Sequence, residues 1–477
     1  MERLSGLDAM FFYLESPSSH MHVAGICEVD PGHQRVSFEA IRQMVAERLP
    51  LAPVFRRRLV EVPFKLTHPY WVEDPDFDLD YHVRRAALPA PGGRVELEAF
   101  VGQVVGLPLD RSRPLWEMYV VEGVEGGRLA IVTKIHHAAI DGISGAEIAA
   151  AWLDIEPHPM RRDLEDDWEP EPLPSDVELT TLALASLVGQ PLRTARSARR
   201  VLESALSLSE HNRQLESPPP VAFAAPKTSL NRAITPHRRV AFTERPLAEF
   251  ETVKNHFSCK LNDVVLAVCA GALRRYLLVG EELPSESLAA LVPISVRTEE
   301  EAGSHGNKIS ATLTSLATEV EDPAERLSEI SAAMARAKEQ QRLIGAGTLT
   351  DWTEFTSPAL IARASRLVTT TRLFDKLRPI CNVTISNIAG PSFPLFFAGG
   401  EVASFYPLGP VAEGIGLNIT VLSYHGSVYF GLNACRESVA RLSELPGMLD
   451  ESMDELVSLA RRGRRGRRSS PAALAGD

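Results

Sequence analysis

The residues of this 477-residue chain whose types and spacing could do chemistry are gathered in Lys134-Ile135-His136-His137-Ala138-Ala139-Ile140-Asp141-Gly142-Ile143-Ser144-Gly145. Imidazole accepts a proton near neutral pH, so an adjacent pair of histidines suggests general-base chemistry. Asp141, four residues after His137, could orient the ring or hold the turn, and Gly142 and Gly145 let the backbone bend sharply. Two other readings fit the same residues. The histidines could be a satisfied structural pair, or His and Asp could form half of a Zn²⁺ or Fe²⁺ site. A metal needs another convergent ligand, and His20, His22, His68, His82, His256 and His305 show no tight companion spacing.

A strand must carry this group. The alternating apolar run over 129–135 predicts one that ends at the histidines, and 146–153 predicts the helix that follows. Such an edge lets a side chain project into a cleft while the strand behind it fixes its position. A partner strand is expected across the turn Gly123-Val124-Glu125-Gly126-Gly127, preceded by Pro114-Leu115-Trp116. Upstream, 21–29 reads as a strand, Phe38, Ile41, Met44, Val45 and Leu49 recur at helical spacing, and 96–105 reads as a second helix.

Past residue 156 the chain turns acidic and proline-rich, as a linker does, and 180–214 is an amphipathic stretch of leucines and arginines. The second half opens with a strand over 238–243. Asn262-Asp263 then starts a long helix through Tyr276, with Asn262 suited to the N-cap. Strands are expected over 291–297, after Gly306-Asn307, and over 382–387, 417–424 and 428–433. A terminal helix over 438–459 runs into the arginines of 461–468. Each half mixes helices and strands, which predicts an α/β (α+β) protein of two lobes joined by a crossover. Its units are 1–155 with the histidine motif, 156–235 as linker and amphipathic helices, 236–460 as the second lobe, and 461–477 as a basic disordered tail.

Composition sets the outer limits. A net charge of -12 argues against nucleic acid as the main partner. The five cysteines are scattered, with no CxxC spacing, and fit a reducing cytosol. No secretory signal is evident at the N-terminus, and no uncharged apolar run is long enough to span a bilayer.

The complete HHxxxDG string, His136 to Gly142, resembles the catalytic signature of the CoA-dependent acyltransferase superfamily, which includes chloramphenicol acetyltransferase and the condensation domains of peptide synthetases. Its combination with Pro114-Leu115-Trp116, Asn262-Asp263, Gly306-Asn307, Ser386-Asn387 and Gly390-Pro391 resembles, more closely, the bacterial wax ester synthase/acyl-CoA:diacylglycerol acyltransferases. That resemblance implies two chloramphenicol-acetyltransferase-like lobes with an active-site channel between them. It also implies long-chain acyl transfer from acyl-CoA to diacylglycerol or a long-chain alcohol, with acyl-CoA as substrate and no cofactor or metal. His137 would be the base and His136 its support. Asp141, with Gly142 at the same turn, would point away from substrate and pair with Arg297. Asn262 would either donate to the oxyanion or cap its helix, and Pro114, Leu115 and Trp116 would shape the acceptor channel or simply pack. The implied location is cytoplasmic and peripheral, on the inner membrane face or a lipid droplet. Two other classes share parts of this pattern: a condensation-type enzyme acting on carrier-bound substrates, and a non-catalytic lipid-binding protein.

Overall fold

The computed structural model describes residues 1–32, 36–140, 151–158, 166, 168–170, 172–187, 220–295, 309–344 and 377–468. Two six-stranded mixed sheets organise them. The first takes β2 (His22–Asp30), β5 (Val83–Ala87), β6 (Trp116–Glu122) and β7 (Leu129–His136) from the N-terminal half, and β12 (Phe396–Phe397) and β13 (Gly400–Leu408) from the C-terminal half, in the order β12-β13-β2-β7-β6-β5. The second runs β10-β9-β11-β14-β15-β8, from β8 (Arg238–Pro246), β9 (Ala289–Ser295), β10 (Ile309–Ser315), β11 (Val383–Ala389), β14 (Leu417–Tyr424) and β15 (Ser427–Cys435). A third, small sheet pairs β1 (Glu2–Arg3), β4 (Tyr70–Glu73) and β3 (Arg57–Val60).

Helices α1 (Gly6–Leu14), α2 (Phe38–Arg48), α3 (Leu79–His82), α4 (Arg94–Gly106) and the single turn α5 (His137–Ile140) belong to the first lobe, and α6 (Asp176–Leu187) follows the linker. The second lobe has α7 (Leu247–Phe257), α8 (Leu261–Val279), α9 (Pro323–Ile344) and α10 (Leu445–Arg468). Almost every residue of α8 from Asp263 to Leu277 is buried, as expected of a helix apolar on all sides. It sits in one hydrophobic core with α7, α9 and α10, and a separate core of the first lobe also takes in Phe242, Tyr424 and Tyr429 of the second sheet.

The expected strand over 21–29 and helix over 96–105 are found nearly in place, and the strand over 417–424 coincides with β14. Two features differ. The stretch 236–460 supplies all six strands of the second sheet and also lends β12 and β13 to the first, where β13 pairs along β2 from Glu401↔Asp30 to Leu408↔Ala24. Residues 461–468, part of the stretch expected to be disordered, continue the backbone of α10 through Arg468.

The crossing strand is stitched to the second sheet as well. Tyr424 Oη donates to Val402 O at 2.9 Å and accepts from Leu395 N at 2.8 Å, and Asn433 Nδ2 donates to Gly409 O at 2.8 Å. Edge strand β8 is satisfied from the other lobe: Arg94 on α4 donates to Phe242 O at 2.8 Å, and Phe242 N donates to Glu98 at 3.0 Å. Gly431 on β15 is where the β13 backbone comes closest, since a Cβ there would lie 1.8 Å from Pro407 O. Gly431→Ala should therefore cost at least about 1–3 kcal/mol of stability by overpacking, read as a lower melting temperature. An unchanged melting temperature would mean that β13 does not lie on β15.

Candidate active site

Both histidines are fixed by backbone hydrogen bonds to the two strands that flank β7. His136 stands opposite His22 in the β2–β7 ladder, and its N–H donates to Leu115 O at 2.9 Å on the β6 side. The His137 N–H donates to Met21 O at 2.8 Å, just before β2 begins. His137 then opens α5, and its ring stacks on Phe11 of α1, centroids 3.9 Å apart and planes 15° from parallel. His136 is buried and His137 is half-buried, so the second ring is the accessible one.

A carboxylate that the sequence reading did not single out as a site residue lies beneath the pair. Glu15, the residue that ends α1, places Oε1 3.3 Å from His136 Nε2 and accepts the Met21 N–H at 2.9 Å. Its Oε2 accepts from Arg111 at 2.5 Å. On its other side, His136 Nδ1 accepts the Ala138 N–H at 3.1 Å, which puts the ring proton on Nε2, facing Glu15. Burial raises the Glu15 pKa, but the contacts with His136 and Arg111 outweigh it and hold this carboxyl well below the usual range. The available signal was an acidic residue at the end of an apolar N-terminal run, shortly before His20 and His22.

Pro114, Leu115 and Trp116 are all buried beside this strand end. Trp116 Nε1 donates to Phe55 O at 2.8 Å, and the indole stacks on His82 at 4.7 Å, while Leu115 O is the acceptor for His136 N. Burial lowers the His82 pKa to about 4, so this ring is neutral at physiological pH. Two residues before His136, buried Lys134 lies 2.9 Å from Glu117 and donates to Val104 O and Leu107 O at 3.2 Å, tying the end of α4 to β7.

Asn262 is not the N-cap of its helix. The cap position is Lys260, whose N–H donates to the Asp263 carboxylate at 3.0 Å, so Asp263 does the capping and Asn262 lies inside the first turn. The Asn262 side chain instead accepts from Asn387 Nδ2 of β11 at 3.3 Å, which joins the Asn262-Asp263 and Ser386-Asn387 elements. Asp141, Gly142 and Arg297, like residues 146–150 of the expected helix, lie outside the described residues. His20 and His22 have ring centroids 5.2 Å apart, and burial lowers both pKa values. Among the described residues no three His, Cys, Asp or Glu side chains converge as metal ligands.

The family model for the wax ester synthase/diacylglycerol acyltransferase catalytic domain matches residues 4–265, and that for the WS/DGAT C-terminal domain matches residues 305–457. A Mycobacterium tuberculosis protein named "Probable diacyglycerol O-acyltransferase tgs2" is 35% identical over 466 residues, covering 96% of this chain and 99% of that protein. The solved wax ester synthase/diacylglycerol acyltransferase of Marinobacter aquaeolei VT8 is 29% identical with a TM-score of 0.68, over 96% of this chain and 100% of that one. The starter condensation domain of rhizomide synthetase, at 11% identity, shares the fold with a TM-score of 0.54 over 96% and 94%.

Glu15→Gln keeps the shape of the side chain and removes its charge. It should lower stability by about 1.5–3 kcal/mol, the range for a hydrogen bond to a charged group. Because the folded pKa is depressed, this contribution is complete above the ordinary value of 4.5 and is lost as pH falls through the lower folded value. The melting-temperature gap between wild type and variant should thus be widest above about pH 5 and close in acid. A gap that does not change with pH would remove Glu15 as the charged partner.

Proposed function

Because the chain belongs to the wax ester synthase/diacylglycerol acyltransferase family, we propose that it transfers a long-chain acyl group from acyl-CoA to diacylglycerol, forming triacylglycerol and free CoA. A fatty alcohol in place of diacylglycerol would give a wax ester by the same chemistry. The observation that carries the catalytic part is the accessible His137 ring at the end of β7, stacked on Phe11 and held through its backbone N–H by Met21 O.

In this reading His137 takes the proton of the acceptor hydroxyl as its oxygen attacks the thioester carbonyl. The tetrahedral intermediate collapses, the C–S bond breaks, and the CoA thiolate recovers the proton from His137. The ring ends as it began. The thioester carries the activation, so acyl-CoA enters as a substrate and the balance calls for no further reagent. A donor is needed for the oxyanion, and Asn262 is the candidate: with Oδ1 engaged by Asn387, its amide hydrogens are the groups left to donate. His136, neutral at Nδ1 and backed by Glu15, positions the turn that carries His137. Pro114, Leu115 and Trp116 would act on the acceptor channel through packing, since Leu115 and Trp116 belong to the first core. Asp141 would pair with Arg297 to hold the loop after the histidines, as the superfamily pattern implies.

Diacylglycerol is nearly insoluble in water, and no described helix is long and apolar enough to cross a membrane. The acceptor is therefore met at a lipid surface, of a membrane or a droplet, which the protein visits from outside. A condensation-type activity would need carrier-bound substrates, and a lipid-binding protein would release no CoA, so one assay separates the three. Purified protein with long-chain acyl-CoA and diacylglycerol should release free thiol and form triacylglycerol.

His137→Ala should lower turnover by about 10²–10⁴-fold, the usual loss for a general base, and His136→Ala should lower it less. Equal or reversed effects in a kinetic comparison would sink the assignment. Asp141→Asn and Arg297→Ala should each lower the melting temperature, with about 3–5 kcal/mol at stake for a buried pair. The double variant should lose less than the sum, and strict additivity would mean that the two never meet.

A further inference from the structure

The small sheet carries a turn whose backbone is unusual for its residues. Between β3 and β4, in the 3₁₀ turn Pro63–Lys65, Phe64 and Lys65 have φ values of 57° and 54°. A bulky side chain is disfavoured there because its Cβ crowds the carbonyl oxygen. Phe64 gains no packing in exchange, since it is 87% exposed. Helix α6 packs on this turn through Leu179 and Ala183, which bury against Val62, and faces outward with Val177 at 76% and Leu184 at 55% exposure. The exposed apolar residues of α6 and Phe64 thus lie on two elements in direct contact, which form an apolar edge.

The charge along that edge decides what could cover it. Asp176 and Glu178 are the charged residues of α6, which has no cation. The Lys65 ammonium lies 3.4 Å from Glu61, and Arg111 is taken by Glu15 with Glu61 3.8 Å away. The edge therefore has little to offer the phosphates of an anionic bilayer and suits an uncharged apolar surface. Beside it opens a cavity lined by Lys65, Tyr13, Leu107, Arg111, Glu15 and His20, with Leu107 itself 59% exposed. Glu15 in that wall is the carboxylate that backs His136.

We propose that α6 and the Pro63–Lys65 turn form a docking edge for an uncharged lipid surface, with Phe64 as the inserted anchor. The proposal rests on the acyltransfer reading for the identity of the lipid, a surface that presents diacylglycerol. Backbone strain at Phe64 is held in place by α6 and β3–β4, and insertion of the ring into lipid supplies the burial that the free protein lacks.

The test is flotation of the full chain with phosphatidylcholine vesicles containing diacylglycerol, without acyl-CoA. Wild type should bind, and raising the salt should not release it. Phe64→Asn should weaken binding by about tenfold or more, the effect of removing one inserted aromatic ring. Phe64→Trp should bind at least as well as wild type, and Leu184→Gln should weaken binding further in the Phe64→Asn background. Asn tolerates positive φ, so Phe64→Asn should melt no lower than wild type. Wild-type binding by Phe64→Asn, or no binding by wild type, would overturn the proposal. So would a lower melting temperature for Phe64→Asn, which would make Phe64 a packing residue. Binding that requires phosphatidylglycerol and disappears in salt would assign the contact to the arginines of 461–468 instead. A change of oligomeric state in Phe64→Asn would assign the edge to a second copy of the chain. Binding is read without turnover, so an inactive protein that still binds would defeat the acyltransfer reading alone.

Discussion

Everything at the site depends on the two backbone hydrogen bonds that hold the end of β7 between its neighbours. His136 N to Leu115 O and His137 N to Met21 O come from opposite sides, so neither histidine can shift along the strand without breaking a ladder on one flank. Buried backbone groups are expensive to leave unpaired, which makes the register stiff. Burial of the Pro114-Leu115-Trp116 element serves the same end. Trp116, locked by Phe55 O and His82, fixes the start of β6, and Leu115 just before it supplies the acceptor for His136.

Charge is then placed around this rigid strand at positions largely withdrawn from solvent. Lys134 is 1% exposed and is answered by Glu117, Val104 O and Leu107 O, so its charge closes the end of α4 on β7. Glu15 is answered by Arg111, Met21 N and His136, so its charge closes the end of α1 on the same strand. Each group is costly alone and tolerable as a set. The result is a histidine pair approached by two helices whose ends are both electrostatically pinned, and α1 also delivers the Phe11 face on which His137 stacks.

The strand, its neighbours and the histidines at its end were legible because period-2 alternation and the glycines around 123–127 are local signals. Glu15 was not, because its partners Arg111 and His136 are far away in sequence and a single acidic residue near a chain end reads as solvated. Asn262 was misplaced by two positions because both Asn and Asp favour helix starts, and only the structure shows that the Asp263 carboxylate takes the Lys260 N–H. The apolar run that became β13 could equally have paired within its own half. Its true partner, β2, comes from the opposite end of the chain, and nothing local encodes such a pairing.

That crossing strand also ties the two sheets into one mechanical unit. β13 is hydrogen-bonded along β2, and it is pinned from behind by Tyr424, Tyr429 and Asn433 of the second sheet. The β2 strand next to it is the one that begins beside Met21, the acceptor for His137 N. Motion of the second lobe against the first is thus resisted within one strand of the histidine pair. From the second lobe, β11 brings Asn387 and α8 brings Asn262. The proposed base, His137, and the proposed oxyanion donor, Asn262, would come from different lobes, and the strand shared between the sheets would keep their separation constant.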